Sequence, residues 1–365
     1  MTIDGKLALA GGRPTGFDYL RLTLAVAVIF VHGVDVTQGQ AAGNALMQSS
    51  WRTIILPIVP MFFALSGFLV AGSLYRCKSL VSFLGLRVLR LFPALACEVT
   101  LSAFILGPIF TAFALSDYFS SPIFYNYFFN LAGLIQYILP GVFTGNPWAQ
   151  TVNAQLWTVP YELECYISIS VLAVIGITRR RDWLLGFVLL LQLGFIVCLV
   201  FDIPQINFGR LSVLCFLVGI VFYCYSDKIP MHAALFALSA ASVLGLMLFP
   251  GMEYLVAIPA VYATVYLGTL NPQKPRFIFG GDYSYGMYLY GFPIQQALVV
   301  LVPGLVWYEN ATAGVLVSLG FAYLSWWWIE KPALGLKPAL LRLETRTLAG
   351  ATGQPSLGKL NRESV

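Results

Sequence analysis

Residues 17–36 read FDYLRLTLAVAVIFVHGVDV. From Leu22 to Val31 every residue except Thr23 is apolar, and around that run stand Arg21, His32, Asp18 and Asp35. A helix advances about 100° and about 1.5 Å per residue, so Arg21 and His32 lie roughly 20° apart in azimuth and about 16 Å apart along the axis. Asp18 and Asp35 fall within about one further turn at either end, close to the same stripe. An apolar spanning helix turns such a stripe toward a bundle interior or a wet cavity, because exposure to lipid costs several kcal/mol per ionised group. His32 is one of two histidines in the chain. For acid–base chemistry near neutral pH it is the leading candidate.

The rest of the composition agrees with a membrane setting. The 365 residues are 59% hydrophobic and 10% charged, with a mean hydropathy of +0.80. A soluble domain carries about 25% charged residues. The chain therefore reads as an all-α integral membrane protein. Its first span is expected to be retained, since no small-residue cleavage site precedes it. Six scattered cysteines without CxxC spacing suit small buried hydrophobes. Two lone histidines give no basis for a metal, and the net charge of +5 gives none for nucleic acid.

Hydropathy predicts ten spans, near 17–36, 54–75, 88–111, 157–177, 183–201, 211–226, 232–249, 253–270, 283–302 and 312–330. Residues 123–143 (IFYNYFFNLAGLIQYILPGVF) are the disputed eleventh. With ten spans and a cytoplasmic N-terminus, one side holds Lys6, Arg13, Arg76, Lys78, Arg87, Arg90, Arg179, Arg180, Arg181, Lys228, Lys274, Arg276, Lys331 and the C-terminal tail. The other keeps only Arg52 and Arg210. An eleventh span would push Arg179–Arg181 and the later basic loops outside, against the positive-inside bias. The expected organisation is a cytoplasmic segment 1–16, a membrane domain 17–332 with a long external loop 112–156, and a basic cytoplasmic tail 333–365. In that scheme 123–143 is re-entrant or interfacial.

The loop 112–156 contains no Lys or Arg and is dense in Phe, Tyr and Asn. Such aromatics generally anchor a protein at the interface; some also suit an acceptor groove for sugar rings. Small residues Ser66, Gly67, Ala71, Gly72 and Ser73 in the second span permit close helix packing. Arg87 and Arg90, three apart, share a helix face; they either anchor the interface or recognise phosphate. In QLWTVPYELECY (155–166), Glu162 and Tyr166 share one face beside Trp157, with Glu162 expected near the depth of His32. Glu330, beside Lys331, ends the last span.

Together these blocks resemble the acyltransferase-3 family of polytopic membrane acyltransferases. FDYLRLTLAVAVIFVH is similar to the family's LDGLRGIAALLVVLFH, with the same ten residues between Arg21 and His32. FFALSGFLV resembles FFVLSGFLI, RVLRLFPAL resembles RRLLRIYPA, and LWTVPYELECY resembles LWSLSVEEQFY. SYGMYLYGFP resembles SYSLYLWHFP, and WIEKP resembles LIEKP. The likeness runs from about residue 17 to 332 in the family's order.

It implies that His32 is the catalytic residue with Arg21 as its partner, that Arg87 and Arg90 serve acyl-CoA, and that Glu330 is functionally sensitive. It also implies a stand-alone enzyme of the bacterial inner membrane that acylates sugars or other small acceptors, commonly lipopolysaccharide, exopolysaccharide or Nod factors. The donor would be cytosolic acyl-CoA, with acetyl-CoA the leading case. Departures are Leu163 and Glu164 where the family has Glu and Gln, and Gly291 where it has the His of YLWHFP.

On this reading Ser284 and Tyr285 join Arg87, Arg90 and Glu330 on the donor side, while Trp157, Arg52 and Arg210 flank a glycan acceptor that is free or lipid-linked. His32 acts as general base or as nucleophile, with Asp35 or Glu162 orienting the ring. The rival class is a transporter or flippase using His32, Arg21 and Asp35 as relay groups. An inverted repeat would favour it, and none is visible.

Overall fold

The computed structural model describes residues 1–201, 208–275 and 280–350. Among them all regular structure is helical; the β contacts are two isolated bridges, Thr2 with Pro230 and Thr111 with Val142. Helices cover each of the ten apolar segments: α1 (Gly16–Gln38), α2 (Ile58–Leu74), α3 (Leu80–Leu101), α4 (Val159–Val174), α5 (Arg181–Val200), α6 (Phe208–Cys224), α7 (Ala233–Met247), α8 (Ala257–Gly268), α9 (Ser284–Leu301) and α10 (Trp307–Ser325). Among the described residues five stretches are long and apolar enough to cross a bilayer: Gly16–Gln38, Arg52–Leu74, Leu80–Phe110, Arg181–Val200 and Trp307–Arg342. Outward faces such as Leu189, Leu190, Leu193, Val197 and Val200 of α5 are apolar and exposed, the arrangement that lipid favours. The protein is a helical, multi-pass membrane protein.

Two sub-bundles share α1. On one side α2 packs most extensively on α6, and α8 leans on both. The approach is close because Gly67 meets the backbone of Phe216 and Gly219 meets that of Ala64; a Cβ at either would collide with main chain. The small-residue stripe of the second span thus serves helix packing. On the other side α9, α10 and α1 form a three-helix contact. There Gly286 faces Ala322, Gly291 faces Ile29, and Gly33 faces Trp307 and Ala311.

Residues 112–156 hold no helix long enough to span: the pieces are Leu115–Ser120, Pro122–Asn126, a 3-10 run Tyr127–Ala132 and a second one, Ala154–Thr158. Polar anchors fix this connector to the bundle. Gln296 of α9 donates to the carbonyls of Trp148 and Thr151 at 2.8 Å each, and Asn146 donates to Gln296 Oε1 at 2.7 Å. Asn153 donates to both oxygens of buried Glu98 on α3, at 2.9 and 3.1 Å, and to the Tyr127 hydroxyl.

The N-terminal segment forms a helix, Ile3–Leu9, docked on the α6–α7 connector through Ile3 N–H to Ile229 O and Asp4 N–H to Ser226 O. Beyond α10 the chain stays helical over Lys337–Gly350, where Leu340 packs on Gly85 of α3. The remainder of the basic tail, 351–365, lies outside the described residues.

Candidate active site

The ionisable stripe of α1 is divided between two places. At its lower end Arg21 lines a cavity of about 170 Å³ between α1, α2, α3, α4 and α9. Arg87 and Arg90 enter from α3, Glu162 and Tyr166 from α4, and Ser284 and Tyr285 from α9. The two arginines three apart thus do face one space, alongside the arginine of the first helix.

Their partners differ. Arg90 donates to Asp282 at 2.6 Å and to Glu330 at 3.4 Å, and its guanidinium lies 5.8 Å from the Tyr285 ring centre. Arg21 donates to the same Asp282 oxygen at 2.9 Å. Arg87 bonds to Ser73 Oγ at 3.2 Å, has no ion pair within 4 Å among the described residues, and leaves its buried Nε unpaired. Asp282 precedes α9, and Ser284 donates to its other oxygen at 2.7 Å. Burial alone would raise this carboxyl, but the Arg90 and Arg21 charges outweigh it and hold it well below the usual carboxylate range.

At the upper end of α1, His32 Nδ1 lies 3.2 Å from Asp35 Oδ2. Gly43, in the helix Gln40–Gln48, presses against the Asp35 carboxylate with no room for a Cβ. The imidazole packs edge-on against Phe292 of α9, centroids 5.1 Å apart, and Phe292 meets Trp148 of the connector in the same way at 5.2 Å. The His32 ring is thus held inside the bundle by protein groups. The cavity does not reach it: α1 contributes only Arg21 to the lining, and the wall on α9 ends with Tyr288 and Leu289, one turn before Phe292. Tyr288 is tied there by Thr158 Oγ1 at 2.7 Å and by the Gln155 carbonyl, which accepts from it at 2.8 Å.

Several expected positions lie elsewhere. Glu162 is not at the level of His32: it lines the arginine cavity and accepts from Tyr166 at 2.5 Å. The polar turn 154–158 plunges into the bundle, where Gln155 donates to Leu289 O at 2.6 Å, so α4 starts partway through and carries Glu162 toward the arginines. Of the two carboxylates considered for His32, Asp35 holds the ring. Glu330 is 2% exposed, bonded to Arg90 and to Ser325, and does not line the cavity.

Trp157 packs on Tyr161, whose ring also carries Arg210, and Arg210 pairs with Glu164. Arg52 pairs with Glu253 at 2.6 Å. Among the described residues Trp157, Arg52 and Arg210 meet neither His32 nor Asp35, and both arginines already have carboxylate partners away from that pair.

The sequence reading missed Asp282, Glu98 and Trp148. Asp282 is the one acid in GDYSYGMYLYGFP, and Glu98 is a lone carboxylate in an apolar span; both were detectable by the cost of burying a charge. Trp148 carried no signal apart from being aromatic.

Comparison with known proteins follows the same lines. The chain is 27% identical to an O-acetyl transferase of Shigella phage Sf6 over 344 residues, covering 90% of this chain and 98% of that protein. It is 25% identical to nodulation protein 10 of Rhizobium leguminosarum bv. viciae over 363 residues, covering 91% and 96%. No solved structure matches. The family model for the acyltransferase domain matches residues 15–330, nearly all of the helical bundle. The chain belongs to the acyltransferase-3 family.

Proposed function

We propose that this protein moves an acetyl group from cytosolic acetyl-CoA to a hydroxyl of a glycan at the bacterial inner membrane. The observation that carries this reading is the division of α1: three arginines gather around a cavity at one end, and an imidazole bonded to a carboxylate sits eleven residues along. Guanidiniums suit the phosphates of a coenzyme A. The distance of about 16 Å along the helix suits a donor whose thioester is carried on a long flexible arm. Phe62 and Tyr288, whose ring centres lie 6.0 Å apart, line the cavity, and Tyr288 stands one turn before Phe292, so the arm would pass this wall on its way to His32.

With Nδ1 turned to Asp35, Nε2 is the reactive nitrogen. As a base it takes the proton of the attacking hydroxyl while the oxygen bonds to the thioester carbon. The carbon–sulfur bond then breaks, and the proton passes to the departing thiolate, leaving an ester and free coenzyme A. As a nucleophile the same atom carries the acetyl group between the two partners.

The acceptor side is best matched by Trp148, because Gln296 fixes its backbone and Phe292 links its ring to the imidazole. The name of the Shigella phage relative, an O-acetyl transferase, favours O-acetylation over transport. Ten spans with both termini cytoplasmic, and 112–156 outside, would put the arginines on the donor's side of the membrane and Trp148 on the acceptor's.

The test is to supply purified protein in lipid nanodiscs with isotope-labelled acetyl-CoA and candidate glycans and to weigh the products. Acetylated glycan from the intact chain, and none from His32→Ala, is expected. Equal product from both would overturn the assignment.

A further inference from the structure

We infer that Asp282 is a positioning residue for the donor's anionic end: it clasps Arg21 of α1 and Arg90 of α3 on one carboxylate and thereby fixes the spacing of the two guanidiniums that face the cavity. This rests on the acyl-CoA reading above and adds a residue to it. The two arginines arrive from helices far apart in sequence, and like charges repel at this range. A single oxygen, Oδ2, accepts from both, at 2.9 and 2.6 Å.

Asp282 itself does not line the cavity, whereas Arg21, Arg90 and Ser284 do. The carboxylate stands behind the guanidiniums and not in the space a ligand would take. An internal anion competing with the donor would have to occupy that space. Each guanidinium has five N–H donors, and Arg21 spends only Nη1 on Asp282, so further donors remain for phosphate oxygens.

The placement of Asp282 is enforced from two sides. Ser284 Oγ holds Oδ1 at 2.7 Å. The preceding Gly281 lies so close to the Trp326 indole that a Cβ would strike the ring. Trp326 opens the turn that ends in Glu330, which accepts from the other terminal nitrogen of Arg90, Nη1, at 3.4 Å. The flanking charges keep the Asp282 carboxyl ionised, as its lowered pKa indicates, so the clasp persists at working pH.

The experiment measures coenzyme A binding by calorimetry on nanodisc-held protein, with acetyl-CoA kinetics in parallel, for wild type, Asp282→Asn, Asp282→Glu and Asp282→Ala with and without formate. Asp282→Asn should weaken coenzyme A binding and raise the KM for acetyl-CoA about tenfold or more, the loss expected of one charge-assisted hydrogen bond, while kcat changes far less. Formate should partly restore Asp282→Ala by supplying the missing carboxylate, an effect that damage to the fold would not produce. Binding by Asp282→Asn as tight as wild type or tighter, or failure of formate to help Asp282→Ala, overturns the inference. Wild-type protein that fails to bind coenzyme A at all overturns the acyl-CoA reading itself and removes the inference with it.

Discussion

The Nδ1 atom of His32 lies 3.2 Å from Oδ2 of Asp35, one turn further along the same helix. This pair fixes which face of the imidazole is free and, by the logic of a base held by a carboxylate, which tautomer it adopts. His32→Ala should lower acetyl transfer by about 10²–10⁴-fold, the usual contribution of a general base, without loss of membrane insertion. Asp35→Asn should give a smaller fall. Gly43→Ala tests the same contact from the other side, since a methyl there displaces the Asp35 carboxylate; its rate should fall toward that of Asp35→Asn. Initial rates for the three variants decide the point, and a fully active Gly43→Ala would mean that the contact has no role.

Arg87 and Arg90 are three residues apart yet should fail differently. Arg87 bonds to Ser73, lies over the Phe83 ring with no carboxylate partner among the described residues, and keeps a buried, unpaired Nε beside the cavity. Arg87→Ala should raise the KM for acetyl-CoA roughly tenfold or more, at about 1.5 kcal/mol or above for a charge-assisted bond, with thermal stability little changed. Arg90 neutralises Glu330, which is 2% exposed, and shares Asp282. Removing it strands buried charge, which costs about 3–5 kcal/mol, so Arg90→Ala should lose stability as well as donor binding. Melting curves in nanodiscs beside KM values separate the two; equal melting points would contradict the difference in their surroundings.

What the sequence made legible follows from how local the signal is. Arg21 and His32 could be placed on one stripe because helical periodicity carries that information within a dozen residues. The shared face of Arg87 and Arg90 was readable for the same reason. Asp282 escaped because its partners lie 192 and 261 residues away, and a lone acid at a helix start resembles an ordinary cap. Glu162 was placed too high because nothing in QLWTVP shows that this polar turn descends into the bundle; Gln155 and Thr158 make that possible by bonding to α9 groups. Trp148 gained its position only through the connector's anchoring by Gln296.

Trp148 and Trp157 divide the readings of the acceptor surface. Trp148 connects through Phe292 to His32, whereas Trp157 belongs with Tyr161, Arg210 and Glu164. Trp148→Ala should raise the acceptor KM several-fold, as expected on losing about 1 kcal/mol or more of ring stacking, with the acetyl-CoA KM unmoved. Trp157→Ala, Arg210→Ala and Arg52→Ala should shift melting temperature and leave acceptor KM near wild type. Acceptor titrations at saturating acetyl-CoA give the answer, and a larger acceptor effect at Trp157 would move the glycan site to the other cluster.

Orientation is testable at a position the fold leaves open. Gly145 lies in the connector, exposed, with no atom within 4 Å of where a Cβ would stand, so Gly145→Cys should be accommodated without disturbing the anchors at Asn146 and Gln296. Lys78, exposed at the opposite end of α2 from the Pro57 side, provides the matched position. Four of the six native cysteines are buried, so the unmodified chain serves as the background for labelling. In cells stripped of an outer-membrane barrier, a membrane-impermeant maleimide should label Gly145→Cys and spare Lys78→Cys until the membrane is opened. This pattern follows from the positive-inside bias and from the need to bring donor and glycan to His32 from opposite faces. The reverse pattern would put the arginine cavity outside, where cytosolic acetyl-CoA has no access, and would overturn the proposed direction of transfer.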